Sequence, residues 1–579
     1  VTTALATTAG PARLHALESA LGDPFADDNP LGLRAVLEAD ERGEMFEAGE
    51  QALHEYGLGA EFVPTAFGGR LDRLDHLVEI MRSVYRRDPC LGLGYGASSF
   101  IAGVNLWTAG DEEQCRHAAE LLCSGRRVAV AYHELAHGND MAGTEFTALP
   151  GPAGLVLNGR KEIITNVRRA EALVVFARTA QRPGSRSHSQ LYVDKSRLPG
   201  GHLTHLPRYR TSGMRGVQLG GIEFRDCPLP ESAVLGTMGH GLENALRSFP
   251  VTRTTLVSMF TGVVDSALRT TLSHVRGRRL YGRTAADLPH IRSVLAAAYS
   301  DLLTADCFAT VATRALHLLP AQTPIYALAV KFFVSKTLMD VMNQLSAVLG
   351  AHFYLREGPA AGFQKLLRDI QPAGFGHAAR AACQVSLLPQ LPLLARRSWL
   401  GETGAPAELF RPGADLPAFD FRQLVISAAG RESLSTSLAA GLAAMPNGTG
   451  PAYTALRAHG EHFAGELVDL AEECVSLSPA ELSVGAGSHT YDLTTRYVKI
   501  LVAAACFETW RHARGTDAAF LADPAWAAAA LHRLRTPLGT PRPSLPGHLE
   551  QPLWDELLDR CARSKGLGML PRPLAGSHG

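Results

Sequence analysis

The chain has 579 residues, and its 56 Lys and Arg balance 56 Asp and Glu, so no bulk field draws it to nucleic acid or to an anionic membrane. Apolar residues make up 46% and charged residues 19%, which supplies buried cores and argues against general disorder. The nine cysteines are scattered singly with no CxxC pair, which argues against a zinc ribbon or a disulfide framework and for a reducing, cytoplasmic setting.

Val1 to Pro11 lacks the basic-then-apolar order of a signal peptide. No apolar run reads as long enough to span a bilayer, and Ile500 to Phe507 is core-sized. High Ala, Leu, Arg and Gly content points to a GC-rich bacterial source. The first 130 or so residues predict helices, with Leu77, Ile80, Met81 and Val84 at helical spacing, and likewise Ala118, Leu121 and Leu122. From Ala131 the character changes. Leu155-Val156-Leu157-Asn158-Gly159 is an apolar run ending in an Asn-Gly pair, which predicts a hairpin turn there. Ala172–Ala177, Gln190–Val193 and Ile222–Phe224 predict short strands. Helical periodicity returns after Gly239, with a stripe of Leu256, Phe260, Val264, Leu268 and Leu272, and continues from Pro289 to Leu318. A Pro-rich break at Gly404–Pro417 precedes an Ala- and Leu-rich helical segment, which Pro537–Pro552 interrupts.

The expected organisation is therefore mainly α with a central β domain. Residues 1–130 form an N-terminal helical domain, 131–239 a middle β domain, 240–398 a C-terminal helical bundle and 399–579 a helical extension. No GxGxxG joins a strand to a helix, so a dinucleotide bound in the Rossmann manner is not expected. His133-Glu134-Leu135-Ala136-His137 is a literal HExxH, the zincin signature. That motif needs one helix to project both histidines. Here it follows Val128–Ala131, which reads as a strand, and runs into a Gly138-Asn139-Asp140 turn, so no metal site is assigned to it.

Several segments, taken in chain order, resemble the acyl-CoA dehydrogenase family. They are Phe67-Gly68-Gly69; Gly110-Asp111-Glu112-Glu113-Gln114 with Ser124-Gly125; and Leu157 to Asn166, which resembles "INGxKxWITN". Ser212-Gly213-Met214-Arg215 with Phe224 to Gly236, Arg278-Arg279-Leu280-Tyr281-Gly282 ("RxxFG") and Gln364 to Asp369 ("xKLxRD") follow. The resemblance covers roughly Gly57 to Arg397, and the residues beyond resemble the extra helical domain of longer members. It implies an FAD-dependent oxidoreductase acting on an acyl thioester, either acyl-CoA or acyl carrier protein, with FAD between the β domain and the C-terminal bundle. It implies a homodimer or homotetramer, with a dimer favoured by the extension. By position, Tyr132 and His133 would contact the flavin, Asn139 would meet substrate, and Thr165 would keep a flavin-facing hydroxyl behind Ile163. Arg278 would pair with the FAD pyrophosphate, Tyr281 would pack on the adenosine side, and Gly350 would let backbone approach the cofactor.

The family base is a Glu nine residues after the Arg of the "RD" pair, and that position here is His377. The alternative base position, on the first long helix of the bundle, falls in Phe249-Pro250-Val251-Thr252-Arg253, again without a carboxylate. Three readings follow. His377 acts as an atypical base for α,β-dehydrogenation, with activity falling below about pH 6.5, the unperturbed His value, moved by however much burial shifts it. Or the chain is a flavin monooxygenase on the same fold. Or it is a non-catalytic acyl-binding relative.

Overall fold

The computed structural model describes residues 9–576 except 153, 183, 402–403, 517 and 538–542. Most of Val1–Pro11 lies outside the described residues, as does part of the Pro537–Pro552 break. The chain divides into two compact units, Val1–Thr252 with Ala418–Ile426, and Arg253–Pro417 with Ser427–Gly579.

In the first unit, α1 (Leu74–Arg87), α2 (Ser98–Ala109) and α3 (Glu112–Cys123) are helices. Asp111 and Gln114 cap α3 reciprocally, which accounts for the Gly-Asp-Glu-Glu-Gln run as a helix start. The Gln114 amide also donates to the carbonyls of Ser232 (2.8 Å) and Val234 (3.1 Å), tying α3 to the β region. The strands are β1 (Val128–Ala131), β2 (Thr147–Gly151), β3 (Gly154–Thr165), β4 (Ala172–Arg178), β5 (His188–Asp194), β6 (Leu203–His205) and β7 (Leu219–Leu229). They form one sheet in the order β1-β4-β2-β3-β7-β6, with β5 also paired to β4. Its core is built from residues such as Phe146, Leu157, Leu173, Val175, Leu191 and Phe224.

The Asn158-Gly159 pair is not a hairpin turn. β3 runs straight through it, and the chain reverses instead between Gly151 and Gly154. Gly159 has φ 120°, and a Cβ there would lie 3.1 Å from Phe146 Cα, so the glycine answers a close approach at a bulge. Asn158 exchanges hydrogen bonds with Asp226 across to β7, at 3.2 and 2.8 Å. Its side chain reinforces the ladder and closes no turn.

The stripe from Leu256 to Leu272 falls on two helices, α4 (Gly241–Met259) and α5 (Thr261–Gly277). In the second unit α5 packs with α6 (Pro289–Leu318) and α7 (Thr323–Leu349), followed by α8 (Ala361–Asp369) and α9 (Arg380–Leu387). By length and composition α6 could cross a bilayer, contrary to the sequence expectation. Its apolar window is 89% buried within the chain, as a core helix requires. The C-terminal helices are α10 (Pro451–Val475), α11 (Ser488–Ala513), α12 (Pro524–Leu534) and α13 (Gly547–Ala562). Pro552 lies inside α13 and does not end it: Leu549, Leu553, Trp554 and Leu557 bury one face on either side. This segment is stitched to the bundle. Arg533 pairs with Asp301 of α6 through two bonds of 2.7 and 2.6 Å, and the backbone N–H of Met569 donates to Asp306 of α6 at 2.6 Å.

Candidate active site

In the first unit the chain leaves β1 into an irregular stretch from Tyr132 to Asp140. The Tyr132 side chain turns inward. Its hydroxyl donates to Asn105 Oδ1 at 2.8 Å, and that oxygen also accepts from Gln190 (3.0 Å) and Ser248 (2.9 Å). Burial pushes the Tyr132 phenol well above its ordinary range. What Tyr132 can offer a ligand is therefore backbone, not its hydroxyl. His133 is half-buried, and its Nδ1 is a buried atom without a hydrogen-bond partner. Asn139 is exposed in a turn.

The HExxH residues lie in this irregular stretch and not on a helix. Glu134 is buried and engaged. It accepts from Lys161 Nζ (2.6 Å), from the Thr144 hydroxyl, and from the N–H groups of Glu145 (2.9 Å) and Phe146 (3.2 Å). Burial alone would raise its carboxyl, but the Lys161 ammonium and these donors outweigh that and lower it. Lys161 is 0% exposed, and burial pushes it down to about 8 against the pull of Glu134. The ion pair fixes the start of the 132–140 stretch to β3. Sequence reading quoted both residues and gave neither a role.

Thr165 ends β3 behind a bulge between Lys161 and Ile164. Ile163 and Asn166 on either side have φ 57° and 61°. A β-branched residue in the left-handed region is strained, and such strain clusters at ligand sites. The turn is held by Asn166, which donates to Ser98 Oγ at 2.9 Å and to the Gly94 carbonyl. Thr165 is thereby placed by a locked backbone.

In the second unit a cavity of about 180 Å³ is lined by His274, Arg278, Leu280, Gly350 and His352 among others. Arg278 caps the C-terminus of α5, and Gly350 follows α7 with φ 57°. Nothing lies within 4 Å of where a Gly350 Cβ would be. His274 Nε2 is buried without a hydrogen-bond partner. A guanidinium, an open glycine and an unanswered imidazole nitrogen suit a phosphate-bearing ligand. Arg278 and Gly350, predicted separately, thus share one cavity. Tyr281 does not line it. It sits at φ 53° between β8 (Arg279–Leu280) and β9 (Arg283–Thr284) and is 89% exposed.

His377 follows the short helix Pro372–Phe375, with φ 63°, and is half-buried. Burial, then Arg253 and Lys331, push its imidazole down to about 3. Lys331 is 3% exposed and donates to the carbonyls of Ala373 and Gly376, both at 2.7 Å. Burial pushes it down to about 8. Cys383 of α9 is buried beside both cations, and burial raises its thiol. His377 is therefore a neutral, weakly basic imidazole in cationic surroundings. Burial therefore moves the acid limb expected of a His377 base well below pH 6.5, the value of an unperturbed ring. Sequence reading missed Lys331, although a lone Lys within the apolar run of α7 was the visible signal.

Residues 129–227 match the family model "Acyl-CoA dehydrogenase, middle domain", and residues 239–377 match "Acyl-CoA dehydrogenase, C-terminal domain". The chain is 28% identical over 311 residues to mitochondrial isovaleryl-CoA dehydrogenase of Solanum tuberosum, covering 53% of this chain and 74% of that one. The fold matches butyryl-CoA dehydrogenase from Megasphaera elsdenii with a TM-score of 0.58 at 19% identity, covering 65% and 96% of the two chains. It also matches the prolyl acyl carrier protein oxidase AnaB with a TM-score of 0.56 at 18% identity, covering 66% and 98%.

Proposed function

We propose that this chain, whose middle and C-terminal parts match the acyl-CoA dehydrogenase family models, is a member of that family and a cytoplasmic FAD-dependent enzyme that oxidises an acyl thioester with an atypical constellation at the base position. The observation that carries the reading is the cavity shared by Arg278 and Gly350, with the buried His274 nitrogen at its wall. Arg278 would meet the cofactor's phosphates with a charge-assisted bond, and Gly350 leaves backbone open to close approach. When bound, FAD supplies the hydride-accepting chemistry. In the first unit Thr165 would offer its hydroxyl from the strained end of β3, and the Tyr132–His133 backbone, fixed by the Glu134–Lys161 pair, would offer peptide groups.

At the base position the chain offers a neutral imidazole at His377, with Arg253 and Lys331 beside it. Those cations make His377 a poor store for a proton but favour negative charge developing on a substrate. The carrier is CoA or acyl carrier protein, since both present the same thioester on pantetheine. The exposed aromatics Tyr281 and Tyr354, at 89% and 80%, support a homodimer in which a second copy covers them. The C-terminal helices already cover α6, which favours a dimer over a tetramer.

The low basicity of His377 favours a second reading, a flavin monooxygenase on the same fold. One experiment separates the two. Purified protein is loaded with FAD and mixed anaerobically with a panel of acyl-CoA and acyl carrier protein thioesters. Bleaching of the flavin absorbance supports oxidation of the thioester. No bleaching by any thioester, with productive oxygen use by the reduced protein, supports the monooxygenase. Failure to bind FAD overturns both.

A further inference from the structure

The cavity that Arg278 and Gly350 share is walled by two histidines from different elements. His274 stands in the last turn of α5, and His352 lies in the turn Gly350–Tyr354 that follows α7. Their rings stand 4.6 Å apart between centroids, tilted by 52°. Both line the cavity together with Arg278. His274 Nε2 is a buried atom without a hydrogen-bond partner. Buried polar atoms are nearly always answered, so this nitrogen is placed for a ligand or a water. The remaining lining side chains, among them Val275, Leu280, Ile291 and Val348, are apolar, and among the described residues no carboxylate lines the cavity.

A diphosphate carries more than one negative charge, and Arg278 is the one lining residue that is always a cation. The cavity also lies at the C-terminal ends of α5 and α7, where the helix dipoles disfavour an anion and favour a protonated imidazole. The histidines are the second source of positive charge in the wall. In the free chain the His274 ring is held below its ordinary range, first by burial, then by His352 and Arg278, so it is neutral at neutral pH. The charged groups on the elements packed against α5 are matched among themselves. Lys365 and Asp369 of α8 pair at 2.5 Å, Asp301 of α6 pairs with Arg533 at 2.6 Å, Lys336 and Asp340 of α7 pair with each other, and Asp287 beside β9 accepts from Thr284. Within α5, Asp265 holds Arg269 at 2.6 Å. Arg356 and Glu357, after His352, are exposed. The groups that face His274 are His352 and Arg278.

We propose that His274 and His352 form a proton-linked clamp for the cofactor's diphosphate, in which the pair takes up one proton from solvent as the ligand enters and an imidazolium N–H donates to a phosphate oxygen beside Arg278. The proposal rests on the reading of this cavity as the cofactor-phosphate site. Two imidazoles this close repel when both are charged, so the pair holds a single proton. The apolar remainder of the wall strengthens the bond between imidazolium and phosphate. Because the ring binds its proton more tightly in the complex than in the free chain, affinity falls as pH rises through that interval and is level on either side of it. Cofactor loading thereby responds to pH near neutrality, where imidazoles titrate.

The test titrates FAD into the full-length, flavin-free chain by calorimetry, between about pH 6 and pH 9 and in buffers of different ionisation enthalpy. The expected result is uptake of close to one proton per FAD at neutral pH, with affinity falling by up to about tenfold per pH unit. His274→Asn and His352→Asn should each remove most of the proton uptake and flatten the profile. Arg278→Ala should weaken FAD binding at every pH and keep the slope. FAD bound equally well across the range, with no proton taken up, overturns the clamp and leaves the cofactor reading standing. A wild-type profile in both histidine variants overturns it as well. Failure of FAD to bind at any pH removes the cofactor reading. ADP-ribose, a diphosphate diester without flavin, then decides the clamp: a proton taken up with it supports the clamp, and none overturns it. If His274→Asn does not fold, His352→Asn, at a part-exposed position, decides.

Discussion

Lys331 donates to the carbonyl of Gly376 at 2.7 Å, so a buried ammonium on α7 holds the peptide that leads into His377. The same nitrogen holds the Ala373 carbonyl. Lys331→Met keeps the apolar stem and removes both bonds. Leaving two carbonyls unanswered should cost about 2 kcal/mol, because hydrogen bonds to charged groups contribute roughly 1.5–3 kcal/mol each and the lost burial of charge offsets part of that. Urea denaturation measures the loss. A variant as stable as wild type would mean that the 372–377 turn does not depend on Lys331.

The second expectation concerns pH. The folded His377 ring is lowered to about 3 from its ordinary value near 6.5, so in that window the unfolded chain binds the proton and the folded chain does not. The contribution of His377 to stability is thus present above about pH 6.5 and is lost as pH falls towards 3. His377→Gln should flatten this part of the stability profile. Flavin reduction by a thioester should show no acid limb at pH 6.5. An acid limb there, absent in His377→Gln, would restore His377 as a base of ordinary strength.

The cavity shared by Arg278 and Gly350 gives a paired test. Arg278→Ala should weaken FAD binding by roughly 10- to 100-fold, the loss of a charge-assisted contact of about 1.5–3 kcal/mol. Gly350→Ala places a methyl in open space at φ 57°, so its cost to the cofactor-free chain is confined to backbone strain of about 1–3 kcal/mol. Its effect on FAD affinity should be larger, because the methyl enters the space the ligand needs. Fluorescence titration of FAD into each variant checks both. Wild-type affinity in both variants would remove this cavity from the cofactor site.

How much of this was legible depended on whether the signal was local. The strand before the HExxH letters and the apolar run of α6 are set by neighbouring residues, and their sequence reading matches the structure; the Asp111–Gln114 cap is equally local, but its residues were read only as part of a family motif. Arg278 and Gly350 were each assigned from motifs, but their meeting in one cavity requires α5 and α7 to pack. The turn predicted at Asn158-Gly159 failed because Phe146, brought close by β2, was the reason for the glycine. The weak basicity of His377 was hidden for the same reason. Its two cations come from α4 and α7, and no spacing rule in the chain announces them.

The Glu134–Lys161 pair gives the last prediction, and it also separates this fold from a zinc hydrolase. Lys161 is fully buried, and its ammonium meets Glu134 at 2.6 Å, the Tyr132 carbonyl at 3.1 Å and the Thr144 hydroxyl at 2.9 Å. Glu134→Gln removes the charge but nearly preserves the shape. An ammonium left buried opposite a neutral amide should destabilise the chain by about 3–5 kcal/mol. Lys161→Met alone leaves a buried carboxylate and should cost a similar amount. The double variant should recover part of the loss, since neither charge is then unmatched. If Glu134 were instead the general base of an HExxH hydrolase, Glu134→Gln would keep full stability and abolish peptide cleavage. Thermal denaturation of the two single variants and the double variant distinguishes these outcomes. Additive losses in the double variant would show that the two side chains do not act as a pair.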